Sequence, residues 1–314
     1  MVSKDLYRAL CAEEKDIPVF LQDWWLDIVC GGDWDVLFYE RKGAIIAAMP
    51  LYIPCENVVT MPHYTRAMGI WVAAGSDDTK YTSRLEIRQS ICRSFIDELS
   101  KYRSFLQYFQ EDFTDWLPFY WSGYSQTTRY TYIIQNIKDL NRVESDMSQQ
   151  IRRNIKSAKT EKILVQHSMT TKELLQAQAQ SFQRQNIKNK QSDTVLRRLI
   201  DVSRERGQGD IFGGYDEAGN LHAAAFIVWH DGTAYYIAGG GDPELRQSGA
   251  HSLVMWEAIR FVSQFADQFD FNGSMLPGVE HFFRSFGAKQ TPYFTISRGK
   301  PSLMDRLRIK LRKE

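Results

Sequence analysis

The sequence has almost no excess of charge of either sign, because 39 Lys and Arg residues stand against 38 Asp and Glu residues and the formal net charge is +1. A chain without a strong overall field gives no reason to expect DNA as a partner. No apolar run approaches the roughly 20 residues that a membrane-spanning helix needs. The N-terminus is charged throughout and has no apolar core of signal-peptide length, so we expect a cytoplasmic protein.

Cysteines are few and scattered. The chain has four, all in its first half, with no Cys-x-x-Cys pair and no Cys/His ligand spacing: Cys11, Cys30, Cys55 and Cys92. A zinc site or a redox dithiol is therefore not expected, and reduced thiols are the simpler interpretation. The sequence also lacks a Gly-x-Ser-x-Gly elbow, a Walker loop, a His-Glu-x-x-His pair and a dinucleotide-binding fingerprint, which excludes the commonest hydrolase, nucleotide and metalloprotease signatures.

What is present is the composition of a folded globular chain, with 43% hydrophobic, 25% charged and 13% aromatic residues. The length of 314 residues suits two domains of roughly 150 residues each.

The C-terminal half alternates between helical and strand periodicity, with tight-turn signals at Asp216–Asn220 and His230–Gly232. The predicted elements follow in this order: a helix over 171–185, strands over 211–215, 221–229 and 233–238, a helix over 249–265, a strand over 269–272, a helix near 277–286 and a strand over 292–297.

The N-terminal half has the same order of elements: a helix holding Trp24, Trp25 and Ile28, strands over 34–39 and 44–53, a helix over 85–99, a strand over 105–109, a helix near Trp116 and a strand over 130–134. Residues repeat as well, since Phe119–Ser122 matches Phe282–Ser285 at an offset of 163 residues. The same offset pairs Thr128 with Thr291, Tyr130 with Tyr293 and Ile133 with Ile296.

A repeat of this length indicates two fused domains. We therefore predict an α/β (α+β) chain of two tandem domains, over residues 1–140 and 141–314, each with a mixed, mostly antiparallel central sheet flanked by helices. The segment 148–159 is predicted to be a basic helix. One interpretation is a solvated helix that packs at the domain junction. The other is a basic wall for a phosphorylated substrate, and under that interpretation Arg153 binds the substrate.

The strongest local signal is the stretch Gly239–Leu253, where three glycines end a strand and a small-residue cluster opens a helix. Backbone N–H groups and the dipole at a helix N-terminus bind phosphate without basic side chains. The alternative is a plain loop in which Ser248 is the helix N-cap.

A strand, then Arg246-Gln-Ser-Gly249, then a helix resembles the pyrophosphate-binding turn of the GNAT acetyltransferases, although His251 stands where that motif has Gly or Ala. The whole chain resembles the FemABX and CelD-like branch with tandem GNAT folds, through Pro18–Leu26, Gln150–Lys156 and Phe269–Gly287. The resemblance implies GNAT-like domains and an acyl-CoA cofactor. The cofactor-binding residues that it implies are Ala238, Gly239, Gly240, Arg246, Gln247, Ser248, Gly249, Ala250 and His251.

The matching stretch of the first half, Met68–Gly75, leads into Ser76–Asp78 without such a turn. Paired aspartates there would repel a pyrophosphate. We therefore predict the cofactor site in the second domain alone, with the first domain as a scaffold or a substrate wall.

The GNAT arrangement implies that the strand over 269–272 splays from the preceding one and admits the acyl-carrying arm. Attack by an amine needs a general base, for which Asp270 and Glu280 are candidates, although each could be a merely structural carboxylate. Tyr235 and Tyr236 are predicted to point to opposite faces of their strand, so that one is a core residue. The other, for which Tyr236 is the candidate, could protonate the leaving thiolate or contact substrate. Period-two alternation places Asp270 and Asn272 on one face. The predicted substrate contacts besides Arg153 are Asn272, Ser274 and Arg284.

We expect an N-acyltransferase that moves an acyl group from acyl-CoA to an amine of a cell-envelope sugar or peptide precursor. Direct transfer is favoured, because the second half has no cysteine to act as nucleophile. The alternatives are an aminoacyl-tRNA-dependent FemABX-type peptidyltransferase and a non-catalytic GNAT-fold binding protein. The tail, residues 300–314, has six basic and two acidic residues and an apolar helical stripe, which suggests peripheral contact with a membrane.

Overall fold

The computed structural model describes residues 2–74, 80–184 and 192–311. The stretch Ser76–Asp78 and the last three residues of the tail lie outside the described residues. The first half contains these elements in chain order: α1 Val2–Glu13, α2 Asp23–Val29, β1 Trp34–Arg41, β2 Ala44–Cys55, β3 Val58–Thr60, β4 Trp71–Val72, α3 Tyr81–Leu99, β5 Ser104–Tyr108, α4 Leu117–Trp121 and β6 Ser125–Gln135.

The second half continues with further helices and strands: α5 Leu140–Asp146, α6 Gln149–Thr160, β7 Leu164–His167, α7 Thr171–Arg184, α8 Asp193–Glu205, β8 Gly209–Tyr215, β9 Leu221–His230, β10 Thr233–Gly241, α9 Ala250–Val262, β11 Gln268–Asp270, α10 Pro277–Arg284, β12 Lys289–Arg298 and α11 Leu303–Leu311. None of the described helices is both long and apolar enough to cross a bilayer.

The residues divide into two compact units. One comprises Met1–Arg129 together with Pro292–Glu314, and the other comprises Tyr130–Thr291. These units do not share the predicted boundary at residue 140, and the C-terminal segment joins the first unit. The physical reason is strand pairing, because Thr295–Arg298 of β12 pair with β5 and Ile133–Gln135 of β6 pair with β11.

The predicted repeat is visible in the elements. An offset of 163 residues carries β5 onto β11, α4 onto α10 and β6 onto β12. β6 and β12 are therefore corresponding strands of the repeat. Most of β6 belongs to the unit of Tyr130–Thr291, and most of β12 belongs to the unit that contains Met1–Arg129.

In the first unit the strands are ordered β1-β2-β3-β5-β12, with β4 paired to β2. Among the described strands of this unit, β3 and β5 are the one parallel pair. Helices α3 and α4 cover the sheet, and the core that they share with it includes Phe95, Leu99, Phe105 and Phe119.

In the second unit the order is β6-β11-β10-β9-β8-β7, and β10 and β11 are the only parallel neighbours in the part of this unit that the structure describes. Each of the two units therefore has a mixed, mostly antiparallel sheet with helices against it, as predicted. The core of the second unit lies under α6, α9 and α10, and it includes Ile151, Leu253, Phe269 and Phe286.

The predicted helices and strands are present with shifted ends. Helices α1, α5 and α8 and strands β3, β4 and β7 were not predicted. Strand β11 ends at Asp270, two residues before the predicted end, and Asn272 has a φ of +63°. The predicted alternation that puts Asp270 and Asn272 on one face is therefore wrong, because the backbone leaves the extended conformation between them.

Candidate active site

Strands β10 and β11 separate partway along their length. They pair in parallel from Thr233 opposite Gln268 to Tyr235 opposite Asp270. Beyond this point β11 ends, whereas β10 continues to Gly241 along β9 with an irregular register between Tyr236 and Ala238. A gap therefore opens beside β10 from Tyr236 onward.

A cavity of about 290 Å³ occupies the second unit at this gap. It is bounded by parts of α6, α7, β10, α9 and α10 and by the turn that precedes α9. Its lining residues are Asn154, Ser181, Tyr236, Gly239, Gly240, Gly241, Asp242, Pro243, Arg246, Gly249, His251, Ser252, Gly278, Val279, Phe282 and Phe283.

The three glycines that end β10 are required by packing. A Cβ atom at Gly240 would lie 2.2 Å from the carbonyl oxygen of Ala177 on α7, and one at Gly241 would lie 2.4 Å from that of His222. A Cβ atom at Gly239 would lie 2.5 Å from a backbone oxygen of β9. Backbone atoms cannot move aside cheaply, so these positions exclude any side chain.

Helix α9 begins at a position that also needs glycine. The N-cap residue is Gly249, with a φ of +78°, and a Cβ atom there would lie 2.3 Å from the carbonyl oxygen of Asn154 on α6. Ser248, the N-cap residue in the plain-loop alternative, is therefore one position before the observed N-cap. Ser248 still contributes to capping, because its hydroxyl accepts a hydrogen bond from the N–H of Ala250 at 3.3 Å.

The nine predicted cofactor-binding residues fall into two groups. Five line the cavity: Gly239, Gly240, Arg246, Gly249 and His251. The other four do not line it: Ala238, Ser248 and Ala250 are buried in the structure around it, and Gln247 is exposed.

Tyr236 is half-buried in the cavity wall, and its ring meets that of Phe283 edge-on with the ring centroids 5.9 Å apart. The neighbouring Tyr235 is buried, so the two tyrosines have the separate environments that were expected. Burial raises the pKa of Tyr236 to about 12. Its hydroxyl therefore keeps its proton at neutral pH and can donate it.

Asp270 is 1% exposed and does not line the cavity. Its Oδ1 accepts hydrogen bonds from the Thr131 hydroxyl and, at 2.7 Å, from the N–H of Asn272. This carboxylate holds the bend that follows β11.

The bend itself has two consecutive residues in the left-handed region, Asn272 with a φ of +63° and Gly273 with a φ of +68°. A Cβ atom at Gly273 would lie 2.3 Å from the carbonyl oxygen of Tyr130. After the bend, Ser274 accepts a hydrogen bond from the N–H of Leu276 at 3.1 Å, just before α10 begins. The structure thus places both predicted substrate contacts, Asn272 and Ser274, in the connection between β11 and α10.

Glu280 belongs to a network on α10. It accepts a hydrogen bond from the Tyr132 hydroxyl at 3.0 Å and forms an ion pair with Arg284 at 3.0 Å. Tyr132 in turn accepts a hydrogen bond from Gln290 at 2.7 Å, and Arg284 contacts Nδ1 of His281 at 3.0 Å. Glu280 and Arg284 are brought together, but neither lines the cavity.

The predicted basic helix is present as α6, and its apolar residues Ile151, Ile155 and Ala158 are buried. Arg153 is exposed and does not line the cavity. The helix instead turns Asn154 toward it, and the Asn154 amide donates a hydrogen bond to Ser252 at 3.2 Å.

Several residues of the site were missed by sequence reasoning. Ser181 of α7 accepts a hydrogen bond from the N–H of Gly241 at 3.0 Å, and buried His222 lies 2.9 Å from the Ser248 hydroxyl. Phe282 and Phe283 belong to stretches that carry the repeat and the family resemblance, but neither was predicted to line the site. No local pattern marks Ser181 or His222, because they reach the site through strand and helix packing across many residues.

The described residues contain no group of three or more His, Cys, Asp or Glu side chains that could hold a metal ion.

Comparison with known proteins gives a consistent result. Residues 145–284 match the family model described as an acetyltransferase (GNAT) domain. The chain resembles the solved structure of FemX, with a TM-score of 0.67, 12% identity and coverage of 94% of this chain and 96% of that one. No curated protein sequence matches the chain.

Two further solved structures are similar over almost their whole length. One is the C-terminal domain of a putative lysylphosphatidylglycerol synthetase from Agrobacterium fabrum, with a TM-score of 0.60, 11% identity and coverage of 98% and 97%. The other is a tandem GNAT protein from the clavulanic acid biosynthesis pathway, with a TM-score of 0.50, 12% identity and coverage of 96% of both chains. Residues 145–284 therefore match the GNAT acetyltransferase domain, and the whole chain shares its fold with FemX and with the tandem GNAT protein.

Proposed function

We propose that the protein moves an acyl group from acyl-CoA to an amine of a cell-envelope sugar or peptide precursor, by direct transfer. The supporting observation is the cavity where β10 and β11 separate, because the start of α9, three glycines and the Tyr236 side chain meet there.

The start of α9 would hold the pyrophosphate of the donor. The positive end of its dipole attracts an anion. Arg246, exposed at the cavity edge, has no carboxylate partner among the described residues, so its guanidinium is available to a phosphate. A volume of about 290 Å³ suits the narrow acyl-carrying arm, with the nucleotide outside.

The transfer needs two proton movements. The amine nitrogen attacks the thioester carbonyl, the C–N bond forms, and the C–S bond breaks to release a thiolate. The amine loses one proton, and the thiolate gains one. Tyr236 is our candidate donor to the thiolate, because it lines the cavity and its hydroxyl remains protonated at neutral pH.

Glu280 is the better candidate for the general base. Asp270 is fully buried and its Oδ1 is occupied by two hydrogen bonds, whereas the Glu280 side chain is 27% exposed. A base must come within hydrogen-bonding reach of the amine or of one bridging water. The acceptor contacts proposed for Asn272, Ser274, Arg284 and Arg153 lie outside the cavity lining and stay predictions.

An aminoacyl-tRNA donor is the second candidate. Two observations favour it: His251 lies in the cavity where the acetyl-CoA motif has Gly or Ala, and the chain resembles FemX and a lysylphosphatidylglycerol synthetase domain more than the tandem GNAT protein in TM-score. A side chain at that point of the turn would crowd a pyrophosphate.

The donor is tested by thermal unfolding with and without millimolar CoA and acetyl-CoA. A ligand present at 100 times its Kd stabilises a protein by about 2.7 kcal/mol, which is an easily measured shift. Arg246→Ala should reduce the shift, and its neighbour Gln247→Ala, also exposed but outside the cavity lining, should leave it unchanged.

No shift with either compound would exclude acyl-CoA as a tightly bound donor. The same assay with an aminoacyl-tRNA mixture would then distinguish the second candidate from a binding protein that has lost its donor.

A further inference from the structure

We propose that α11 lies on an anionic membrane surface through the face that it turns to solvent. This contact is independent of the acyl-transfer chemistry. Three large apolar side chains of this short helix are strongly exposed: Leu303 at 78%, Met304 at 64% and Leu307 at 59%. Single exposed apolar residues are common, but a contiguous group of this kind marks an interaction surface.

The exposed residues form an ordered face. Successive residues of an α-helix are about 100° apart, so Leu303, Leu307 and Met304 occupy an arc of about 100°. Arg306 and Arg308 lie on the two sides of this arc, and both are exposed. An apolar stripe with basic residues along both edges is the arrangement of helices that lie in the plane of a membrane interface.

The opposite face of the helix is fixed to the protein. Asp305 is 4% exposed, and its carboxylate pairs with Arg103 and accepts a hydrogen bond from the Ser302 hydroxyl at 2.7 Å. The hydrogen bonds from Ser302 and the pairing with Arg103 lower the pKa of Asp305, so it stays ionised. Ile309, one turn later, is half-buried on the same side.

Because Asp305 is held against the protein, the side chains that α11 turns to solvent are of other kinds. The charge of the acidic residue is paired with Arg103 of the protein, while the exposed residues of the helix are apolar or basic. Lys300, just before the helix, is exposed and adds to the positive charge. Each basic residue near an anionic lipid surface adds to the binding free energy, and burial of the apolar side chains in the lipid interface adds a further favourable contribution.

The positive charge of this face also argues against a second copy of the chain as its binding partner. Two such faces would bring like charges together, whereas an anionic surface compensates them. The described helices include none that could cross a bilayer, so the contact that we propose is a surface contact.

The test is co-sedimentation of the full chain with phosphatidylcholine vesicles that contain or lack phosphatidylglycerol. We expect binding to the anionic vesicles, weak binding to the neutral ones, and a decrease as salt is raised. Combining Leu303→Ser, Met304→Ser and Leu307→Ser should lower the partition coefficient at least tenfold. A matched triple variant carries serine at three exposed leucines elsewhere and should bind like the native chain: Leu6, Leu117 and Leu164.

A second variant, with Arg306→Gln and Arg308→Gln, should weaken binding and flatten its salt dependence. Equal thermal stability of the variants shows that they are folded. The proposal is overturned if the native chain binds neither kind of vesicle, or if the variant with serine at 303, 304 and 307 binds anionic vesicles as the native chain does. A native dimer that this variant abolishes, without vesicle binding, would assign the face to self-association instead.

Discussion

The hydroxyl of Ser248 lies 2.9 Å from Nδ1 of His222, which ties the turn before α9 to strand β9. The same hydroxyl donates to the carbonyl oxygen of Leu245 at 2.8 Å and accepts from the N–H of Ala250. On the other side of the ring, Nε2 of His222 lies 3.3 Å from the carboxylate of Asp216. Ser248 is therefore held behind the helix start and positions it.

This relationship leads to the first prediction. His222→Ala should weaken the stabilisation of the protein by CoA, because the turn that presents the α9 N–H groups loses a buried hydrogen-bond partner. We expect the Kd for CoA to rise several-fold, measured by titration calorimetry. His222→Asn, whose amide can reach the Ser248 hydroxyl, should recover part of the affinity. Equal affinities in the two variants would contradict a positioning role.

Gly249 provides a second prediction, about folding. Gly249→Ala should lower the free energy of unfolding by more than the roughly 1–2 kcal/mol that a left-handed backbone costs a residue with a Cβ atom, because that atom would also meet the Asn154 carbonyl oxygen at 2.3 Å. The matched control is Gly219→Ala, where φ is +83° and nothing lies within 4 Å of the added atom. Urea unfolding of both variants separates backbone strain from steric contact, and equal losses would mean that α6 can move aside.

Much of this site was predictable because its signals are local. The glycines of the Gly239–Leu253 stretch, the helix after them and the offset of 163 residues can all be read from short patterns, and the structure places them as expected. The sequence left Ser248 and Gly249 both open as the N-cap, since Ser and Gly are both common there and only the approach of α6 decides between them.

The rest depended on contacts that distant residues make. The end of β11 is set by a bend in which Asp270 holds the N–H of Asn272, and no periodicity reports a left-handed residue in advance. The exchange of β6 and β12 between the two compact units was invisible for the same reason, since each strand has ordinary strand periodicity and its partners lie far away in sequence.

Tyr236 provides a third prediction, for the proposed reaction. Tyr236→Phe should lower kcat about 100-fold with little change in the Kd for the donor, because loss of a general acid affects the chemical step. The ring packing against Phe283 is retained. Steady-state kinetics and titration with the donor test this prediction. A large change in Kd with unchanged kcat would assign Tyr236 to binding instead.

The same residue gives a fourth prediction, for alkaline stability. Below pH 10 Tyr236 is neutral in both the folded and the unfolded chain, so it adds no pH dependence. Between pH 10 and about 12 the unfolded chain loses this proton while the folded chain keeps it, so the free energy of unfolding falls as pH rises. In Tyr236→Phe this fall should be smaller by up to about 1.4 kcal/mol per pH unit. Identical pH slopes for the native chain and the variant would mean that burial does not shift this hydroxyl.

The last prediction distinguishes the two carboxylates proposed as the base. Asp270→Asn should mainly lower stability, because the carboxylate accepts hydrogen bonds from the Thr131 hydroxyl and the Asn272 N–H in a buried position. Glu280→Gln should leave stability nearly unchanged, since it breaks a partly exposed ion pair with Arg284.

The catalytic activities of these variants should also distinguish Glu280 from Asp270. We expect Glu280→Gln to lower kcat at least 100-fold at neutral pH, because the amine then has no acceptor for its proton. Arg284→Gln breaks the same ion pair but keeps the carboxylate, so it should change kcat only a few-fold. If Arg284→Gln is as inactive as Glu280→Gln, the ion pair itself is required for activity. If Asp270→Asn instead retains its fold and loses activity, the base is Asp270, and the acceptor amine must approach from the side of β6.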